Sequence, residues 1–97
     1  MAMKIATQHY LKPCADSQKS YYRKAIVKYI LDDNIKRVIL QSYDTDVCYY
    51  DATDWSFHSL WNGYSKTTMR HINSFRVEHE GTKLSKKEWE TMEVETI

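Results

Sequence analysis

The stretch of sequence with the most side chains that could do chemistry is residues 61–76, which carry basic and aromatic groups and no acidic residue. Its candidate functional side chains are Tyr64, Lys66, Arg70, His71 and Arg76. Lys66 and Arg70 stand at the start of a predicted helix, where free backbone N–H groups and the positive end of the helix dipole attract a phosphate or a carboxylate. The alternative is an ordinary helix start with solvated basic residues.

His71 is the residue of this segment best suited to acid–base chemistry or metal binding. No nucleophile or carboxylate stands at a fixed local spacing from it that would complete a catalytic triad. We therefore expect a structural, hydrogen-bonded histidine that, with Phe75, holds the helix on a sheet, and we predict no catalytic residue. A small enzyme that uses His71 with a Tyr or Asp partner remains an alternative.

The histidines and cysteines do not have the short, paired spacing of a structural zinc site. The candidates are His9, Cys14, Cys48, His58, His71 and His79. No glycine-rich loop that could cradle a nucleotide phosphate is present. The sequence therefore predicts neither a metal nor a cofactor, with Cys48 an ordinary strand thiol and Cys14 in a loop.

Alternation of apolar and polar residues at period two predicts an antiparallel β-meander that must position these side chains. Strands are expected over residues 3–9, 20–31, 35–50 and 55–61, the third broken by a bend or bulge at 43–46. In the second strand the residues predicted to share one face are Ala25, Val27, Tyr29 and Leu31.

After the last predicted strand, the apolar residues recur at the spacing typical of a helix. A helix is predicted over residues 66–79, with Ser65 as its N-cap and Gly81 as its stop. A second, short helix over residues 86–93 opens with a capping box formed by Ser85 and Glu88. We therefore predict one α+β domain over residues 1–97, in which three to five strands pack against a C-terminal helix and a short capping helix.

Arg76 falls inside the apolar arc of the first predicted helix. A cation in that position either extends its head to solvent or pairs with a carboxylate. Asp44 and Asp46, at the strand break, are the predicted partners. Arg76 and Asp44 are therefore assigned structural roles.

Aromatic residues make up 13% of the chain, and the formal net charge is only +1. A charge near zero argues against a generally basic nucleic-acid binder. Five of the aromatic residues are expected to fit a single core between the sheet and the helix, namely Trp55, Phe57, Trp61, Phe75 and Trp89. Tyr, Trp and Arg dominate protein–protein hot spots, and we predict a partner-binding surface made of Tyr21, Tyr22, Tyr50, Trp61, Tyr64, Lys66 and Arg70.

The first residues lack the apolar core of a signal peptide. No segment approaches the roughly 18 apolar residues that a membrane span needs. We therefore expect a cytoplasmic protein without membrane contact. Homodimerisation through an uncovered sheet edge or face is compatible with every function considered.

Three blocks of the sequence, residues 40–48, 60–75 and 84–89, resemble a family of small domains found in bacteriophages, prophages and mobile elements. The shared pattern reads S-Y-x-T-x-V, then W-x-G-[YW]-S-x-T-T-x-R-H-I-x-x-F, then K-K-x-W. Lys66 stands where a small residue is more usual in that pattern. The resemblance implies a phage or mobile-element context and carries no enzymatic activity.

The favoured hypothesis is a non-enzymatic accessory protein that binds a host or phage macromolecule in the cytoplasm of the host cell. A protein partner is preferred, and an inhibitor of host defence, similar to an anti-CRISPR protein, is one version of this role. The alternative is a nucleic-acid-binding regulator that uses the local basic and aromatic side chains.

Overall fold

The computed structural model describes residues 5–13, 21, 24–32 and 35–95. Five strands form one antiparallel sheet in chain order: β1 (Ile5–Tyr10), β2 (Ala25–Asp32), β3 (Ile35–Ser42), β4 (Thr45–Asp51) and β5 (Ser56–Ser59). Two helices follow, α1 (Lys66–Glu80) and α2 (Lys86–Thr91). The structure therefore confirms the α+β meander with a C-terminal helix and a short second helix.

The predicted third strand is in fact two strands. Ser42 pairs with Thr45, so the chain reverses across Tyr43 and Asp44 rather than bending within one strand. Tyr43 has a φ of +56°, a left-handed conformation that allows this reversal in two residues. Further along, β3 pairs Leu40 with Cys48 and then Gln41 with Asp46, which places a bulge in β4.

Two other strand boundaries differ from the sequence prediction. The second strand begins at Ala25 rather than at residue 20. Trp55 lies in a turn before β5, with a φ of +59°, instead of being its first residue. Its partly exposed ring stacks on Tyr50 with the ring centroids 4.9 Å apart. The predictions for Cys14 and Tyr22 lie outside the described residues.

Both faces of the sheet carry buried apolar side chains. On one face, strand residues such as Val27, Leu40 and Tyr50 pack in a single cluster with Ile72 and Phe75 of α1. The smaller cluster on the other face consists of Ile30, Ile39 and Tyr49, with Leu60 packed against it. Leu31, which the alternation predicts on the same face of β2 as Val27, is exposed near the end of that strand.

Local hydrogen bonds explain where α1 begins and ends, and they confirm the predicted caps. The Ser65 side chain accepts a hydrogen bond from the Thr68 backbone N–H. At the other end Gly81 has a φ of +75°, and its N–H donates to the carbonyls of Arg76 and Val77. A left-handed glycine at this position is a common helix stop because it has no side chain to clash.

The capping box of α2 is also present as predicted. The Glu88 N–H donates to the Ser85 hydroxyl over 3.1 Å, and the Ser85 N–H donates to the Glu88 carboxylate over 3.2 Å. The cap holds α2 so that Trp89 is buried and its indole N–H donates to the Gly63 carbonyl at 2.9 Å. The helix ends at Thr91 rather than at residue 93, because the backbone is extended at Met92. No helix among the described residues is long and apolar enough to cross a membrane.

The contact between Gly63 and Trp61 gives a first prediction. A methyl group added at Gly63 would collide with the Trp61 indole ring. We expect Gly63→Ala to lower the free energy of unfolding by about 1–3 kcal/mol, because the ring must leave its packed position. Urea denaturation followed by tryptophan fluorescence measures this loss.

The control for this measurement is Gly81→Ala. An added methyl group at Gly81 meets no atom within 4 Å, so its cost is only the left-handed backbone, about 1 kcal/mol. Equal stabilities for Gly63→Ala and the wild-type protein would contradict the predicted clash.

The capping box gives a second prediction, on pH dependence. The backbone N–H of Ser85, and then its hydroxyl, lower the pKa of Glu88 below its ordinary value. A lowered folded-state pKa stabilises the fold above the unfolded pKa of about 4.3, and this contribution is lost as the pH falls through the folded value. The melting temperature of Glu88→Gln should therefore lie below that of the wild type near neutral pH and approach it in acid.

Thermal unfolding followed by circular dichroism between about pH 6 and about pH 2 tests this convergence. Glu78→Gln, which removes an exposed carboxylate of α1, serves as the control. A constant difference between Glu88→Gln and the wild type at every pH would count against the capping carboxylate.

Candidate functional site

A buried group of polar side chains joins the first turns of α1 to the end of β3. The Ser42 hydroxyl lies 2.8 Å from His71 Nδ1 and 3.1 Å from the Thr68 hydroxyl. All three residues are buried, and His71 is only 1% exposed. Buried polar groups that are bonded to each other fix a helix in one position, since sliding the helix would leave them unsatisfied.

Tyr21 belongs to the same buried group. Its hydroxyl donates to the Arg70 carbonyl over 3.1 Å and lies 2.5 Å from the Ser74 hydroxyl. Its ring packs edge-on against His71, with the centroids 4.4 Å apart. This corrects the prediction that Tyr21 contributes to a partner surface, because both its ring and its hydroxyl face α1. We call Tyr21, Ser42, Thr68, His71 and Ser74 the buried polar cluster.

The position of His71 decides what it can do chemically. The side chain is enclosed by the buried polar cluster and is nearly inaccessible to solvent. A general base needs a substrate proton within hydrogen-bonding reach. The geometry therefore favours the structural role that the sequence suggested for His71, together with the fully buried Phe75.

Near the buried polar cluster, several basic and aromatic side chains are exposed to solvent. Tyr43 is 46% exposed, and the ammonium group of Lys24 lies 5.6 Å from the centre of its ring. Tyr64 is 41% exposed, and the ammonium group of Lys86 lies 4.5 Å from its ring centre. Tyr43 and Tyr64 are thus each paired with a lysine in cation–π geometry.

Lys66 and Arg70, in the first turns of α1, are also exposed. They are four residues apart on α1, so they share one face of the helix. Tyr64 directly precedes the N-cap, and the ring of Tyr43 lies 5.9 Å from that of His71, which follows Arg70. We call the set Tyr43, Tyr64, Lys66, Arg70 and Lys86 the basic aromatic surface.

Trp61, which the sequence predicted to be part of the partner-binding surface, packs mainly on the core. Its ring is half-buried, packs on the main core and lies against Gly63. Trp61 therefore supports the loop that carries Tyr64. Tyr50, which the sequence assigned to the partner surface, is fully buried in the core, so that assignment is wrong.

The other end of α1 has a different ion pair from the one predicted. Arg76 bonds Glu80 over 3.2 Å, and its guanidinium group lies 4.5 Å from the centre of the Phe57 ring. Asp46 instead bonds Lys28 at 2.5 Å, and Asp44 is exposed in the β3–β4 turn. The prediction is wrong because that turn lies beside the first turns of α1, whereas Arg76 is in its C-terminal half.

Glu80 also ties the sheet to the end of α1. The Tyr50 hydroxyl donates to the Glu80 carboxylate over 2.6 Å. Burial, and then this hydrogen bond, raise the pKa of Tyr50 far above its ordinary value, so it remains a neutral donor. Acidic residues at this end include Asp51, Asp54, Glu78 and Glu80. Two basic residues lie among them, since Arg37 is opposite Asp51 and Arg76 pairs with Glu80.

The described residues contain no group of three His, Cys, Asp or Glu side chains that could hold a metal ion. Cys48 is completely buried, and burial raises the pKa of its thiol well above its ordinary value. A thiol with a raised pKa is a poor nucleophile. Cys48 is therefore a packing residue, as the sequence predicted.

A comparison with known families places this fold in context. Residues 10–91 match the model of a family of unknown function, DUF8033. The chain belongs to this family. The matched region contains α1, the buried polar cluster and the basic aromatic surface. No curated protein and no solved structure gives a significant match.

Sequence reasoning found Tyr64, Lys66 and Arg70 but missed Tyr43 and Lys86. The alternation places Tyr43 in a bend within one strand, although a tyrosine followed by Asp44 between two alternating segments also fits a tight turn. For Lys86 the sequence indicates only a position at the start of the second helix. Its contact with Tyr64 depends on how α2 packs, and no local sequence signal reports that.

The buried polar cluster gives a third prediction. Ser42→Ala removes the hydrogen bonds to His71 and Thr68, so we expect the free energy of unfolding to fall by about 1–3 kcal/mol. Thr53→Ala, in an exposed turn, should change it by less than about 0.5 kcal/mol. Chemical denaturation measures both values. A Ser42→Ala protein as stable as Thr53→Ala would show that the cluster does not fix α1.

Proposed function

We propose that this chain is a macromolecule-binding protein that docks an acidic surface of a partner protein onto its basic aromatic surface. The observation that carries the proposal is the pairing of Tyr43 with Lys24 and of Tyr64 with Lys86 near the start of α1, whose first turn has no acidic residue. Tyr and Arg are enriched among the residues that dominate binding energy at protein interfaces.

Charge and shape have separate roles at such a surface. Lys66 and Arg70 would steer an acidic partner and exclude basic ones, since complementary charge raises association rates and specificity. Tyr43 and Tyr64 would supply the apolar contact area, because aromatic rings bury much surface at a low cost in conformational entropy.

The surface is also rigidly supported, which favours tight binding. Arg70 follows a turn of α1 that the buried polar cluster holds, and Tyr43 sits at a two-residue turn next to Ser42 of that cluster. Side chains carried on ordered backbone lose less freedom on binding than side chains of a mobile loop. The interface would therefore form with little rearrangement of this chain.

The sequence resemblance supplies the biological setting of the proposal. In that setting the chain is a phage or mobile-element accessory protein that acts in the cytoplasm of the host cell on a host or phage protein. An inhibitor of host defence, similar to an anti-CRISPR protein, is one such role. An acidic patch on the partner is the chemical feature that this surface would recognise.

Single-stranded nucleic acid is a second candidate ligand, favoured by the same two exposed rings. Bases stack on aromatic side chains, and nearby Lys and Arg contact the phosphates. Affinity for an oligonucleotide would then fall steeply as salt rises, because bound phosphates release counterions. A fluorescence anisotropy titration with a labelled oligothymidine separates this ligand from a protein partner.

The fourth prediction tests the basic aromatic surface directly. A photo-crosslinking amino acid placed at Tyr64 should trap one discrete protein partner in bacterial cells that express the chain. Combining it with Lys66→Glu and Arg70→Glu should reduce the trapped product about tenfold or more, since like charges would then oppose the partner. Mass spectrometry identifies the partner and allows its surface charge to be checked.

The matched control carries Lys36→Glu and Lys83→Glu, which change the net charge equally at exposed positions elsewhere. This control should retain the crosslinked product. Loss of the product in both variants would point to a nonspecific charge effect. A trapped partner with a basic contact surface would contradict the proposal.

A further inference from the structure

The two edge strands of the sheet, β5 and β1, have different surroundings. At one edge β5 has only four residues, and the chain after α2 runs beside it. Ser59 forms a parallel bridge with Val94, and the Glu95 N–H donates to the Ser59 carbonyl over 2.8 Å. His58 makes an ion pair with Glu95. A short strand with a charged tail beside it is protected against pairing with another strand.

The opposite edge, β1, has none of these protective features in the described part of the chain. It has six residues, none of which is charged and none of which is proline. Its residues 7–10 are exposed, and β2 is its only strand neighbour within the described residues. An uncharged edge strand of this length is a template for pairing with another strand.

The surroundings of β1 suit such pairing. Lys28 of β2 lies opposite Gln8, and its ammonium group is neutralised by Asp46 at 2.5 Å. A hollow of about 230 Å³ beside the edge is lined by Gln8, His9, Tyr10 and Ile26. Tyr10 is 51% exposed, so a large ring stands next to the hollow.

We propose that β1 pairs antiparallel with β1 of a second copy of this chain, giving a two-fold dimer with one continuous sheet. In a two-fold interface the same surface meets itself, so the strand must tolerate its own side chains opposite it. β1 contains no Asp, Glu, Lys or Arg, so none of these charges would face its own copy across the pair. The hollow and the exposed Tyr10 lie along this edge, so the second copy would cover both.

The basic aromatic surface lies at the start of α1 and shares no residue with this edge. The dimer can therefore be confirmed or contradicted independently of the proposed partner binding. If both hold, the dimer would present two basic aromatic surfaces, and a multivalent partner would bind it with higher avidity.

The fifth prediction tests the dimer by mass. The chain has a mass of 11.6 kDa, and light scattering of the wild-type protein should report twice that value, falling toward one chain on dilution. Gln8→Glu should raise the dimer dissociation constant about tenfold or more, since it places like charges on both strands of the pair, whereas within one chain the new carboxylate lies opposite Lys28. Thr53→Glu adds the same charge in an exposed turn and should leave the dimer intact.

Two outcomes would overturn the dimer. One is a wild-type protein whose measured mass is that of a single chain at every concentration. In that case the edge would be available only for pairing with a strand of another protein. The other is a dimer dissociation constant that is equal for Gln8→Glu and Thr53→Glu. Circular dichroism establishes that both variants are folded.

Hydrogen exchange gives a second readout that locates the contact. Backbone amides of β1 should exchange slowly in the wild-type protein and faster in Gln8→Glu, while those of β3 and β4 remain slow in both. A dimer in which β1 amides exchange at the same rate in both proteins would place the interface on another surface and so contradict the proposal.

Discussion

The attachment of α1 to one face of the sheet is the contact on which the rest of this structure depends. Apolar packing by Ile72 and Phe75 supplies most of the buried area but does not by itself fix the helix along its axis. Polar contacts at both ends do so, because they are directional. His71 bonds Ser42 near the start of the helix, and Glu80 accepts a hydrogen bond from Tyr50 at its end.

The charged residues of α1 are unevenly distributed along the helix. The helix begins with Lys66 and Arg70 and ends near Glu78 and Glu80, an order opposite to the one that best suits its own dipole. A basic helix start is unfavourable for the isolated helix. It has a clear use if the start of α1 meets an acidic partner, whose carboxylates would complement both the side chains and the helix dipole.

Much of the fold could be predicted from the sequence because its determinants are local. Alternation, the Ser65 cap, the Gly81 stop and the capping box at Ser85 each act over a few residues, and the structure contains all of them. The partners of Arg76 and the burial of Tyr21 could not be predicted in the same way. They depend on which end of α1 lies beside which turn, and residue spacing does not report that.

Two aromatic residues with positive φ show how backbone conformation and surface are related in this domain. Left-handed backbone is unfavourable for a bulky side chain, by about 1–3 kcal/mol, and glycine or asparagine would avoid that cost. Tyr43 and Trp55 nevertheless occupy such positions, and the ring of each contacts a buried ring, His71 and Tyr50 respectively. These contacts offset part of the strain. They also hold two exposed rings in fixed positions at opposite ends of α1, and the ammonium group of Lys24 lies over the ring of Tyr43. The basic aromatic surface is thus built from a strained turn, a packed ring and a cation, and a change to any one of them would alter how the other two are presented.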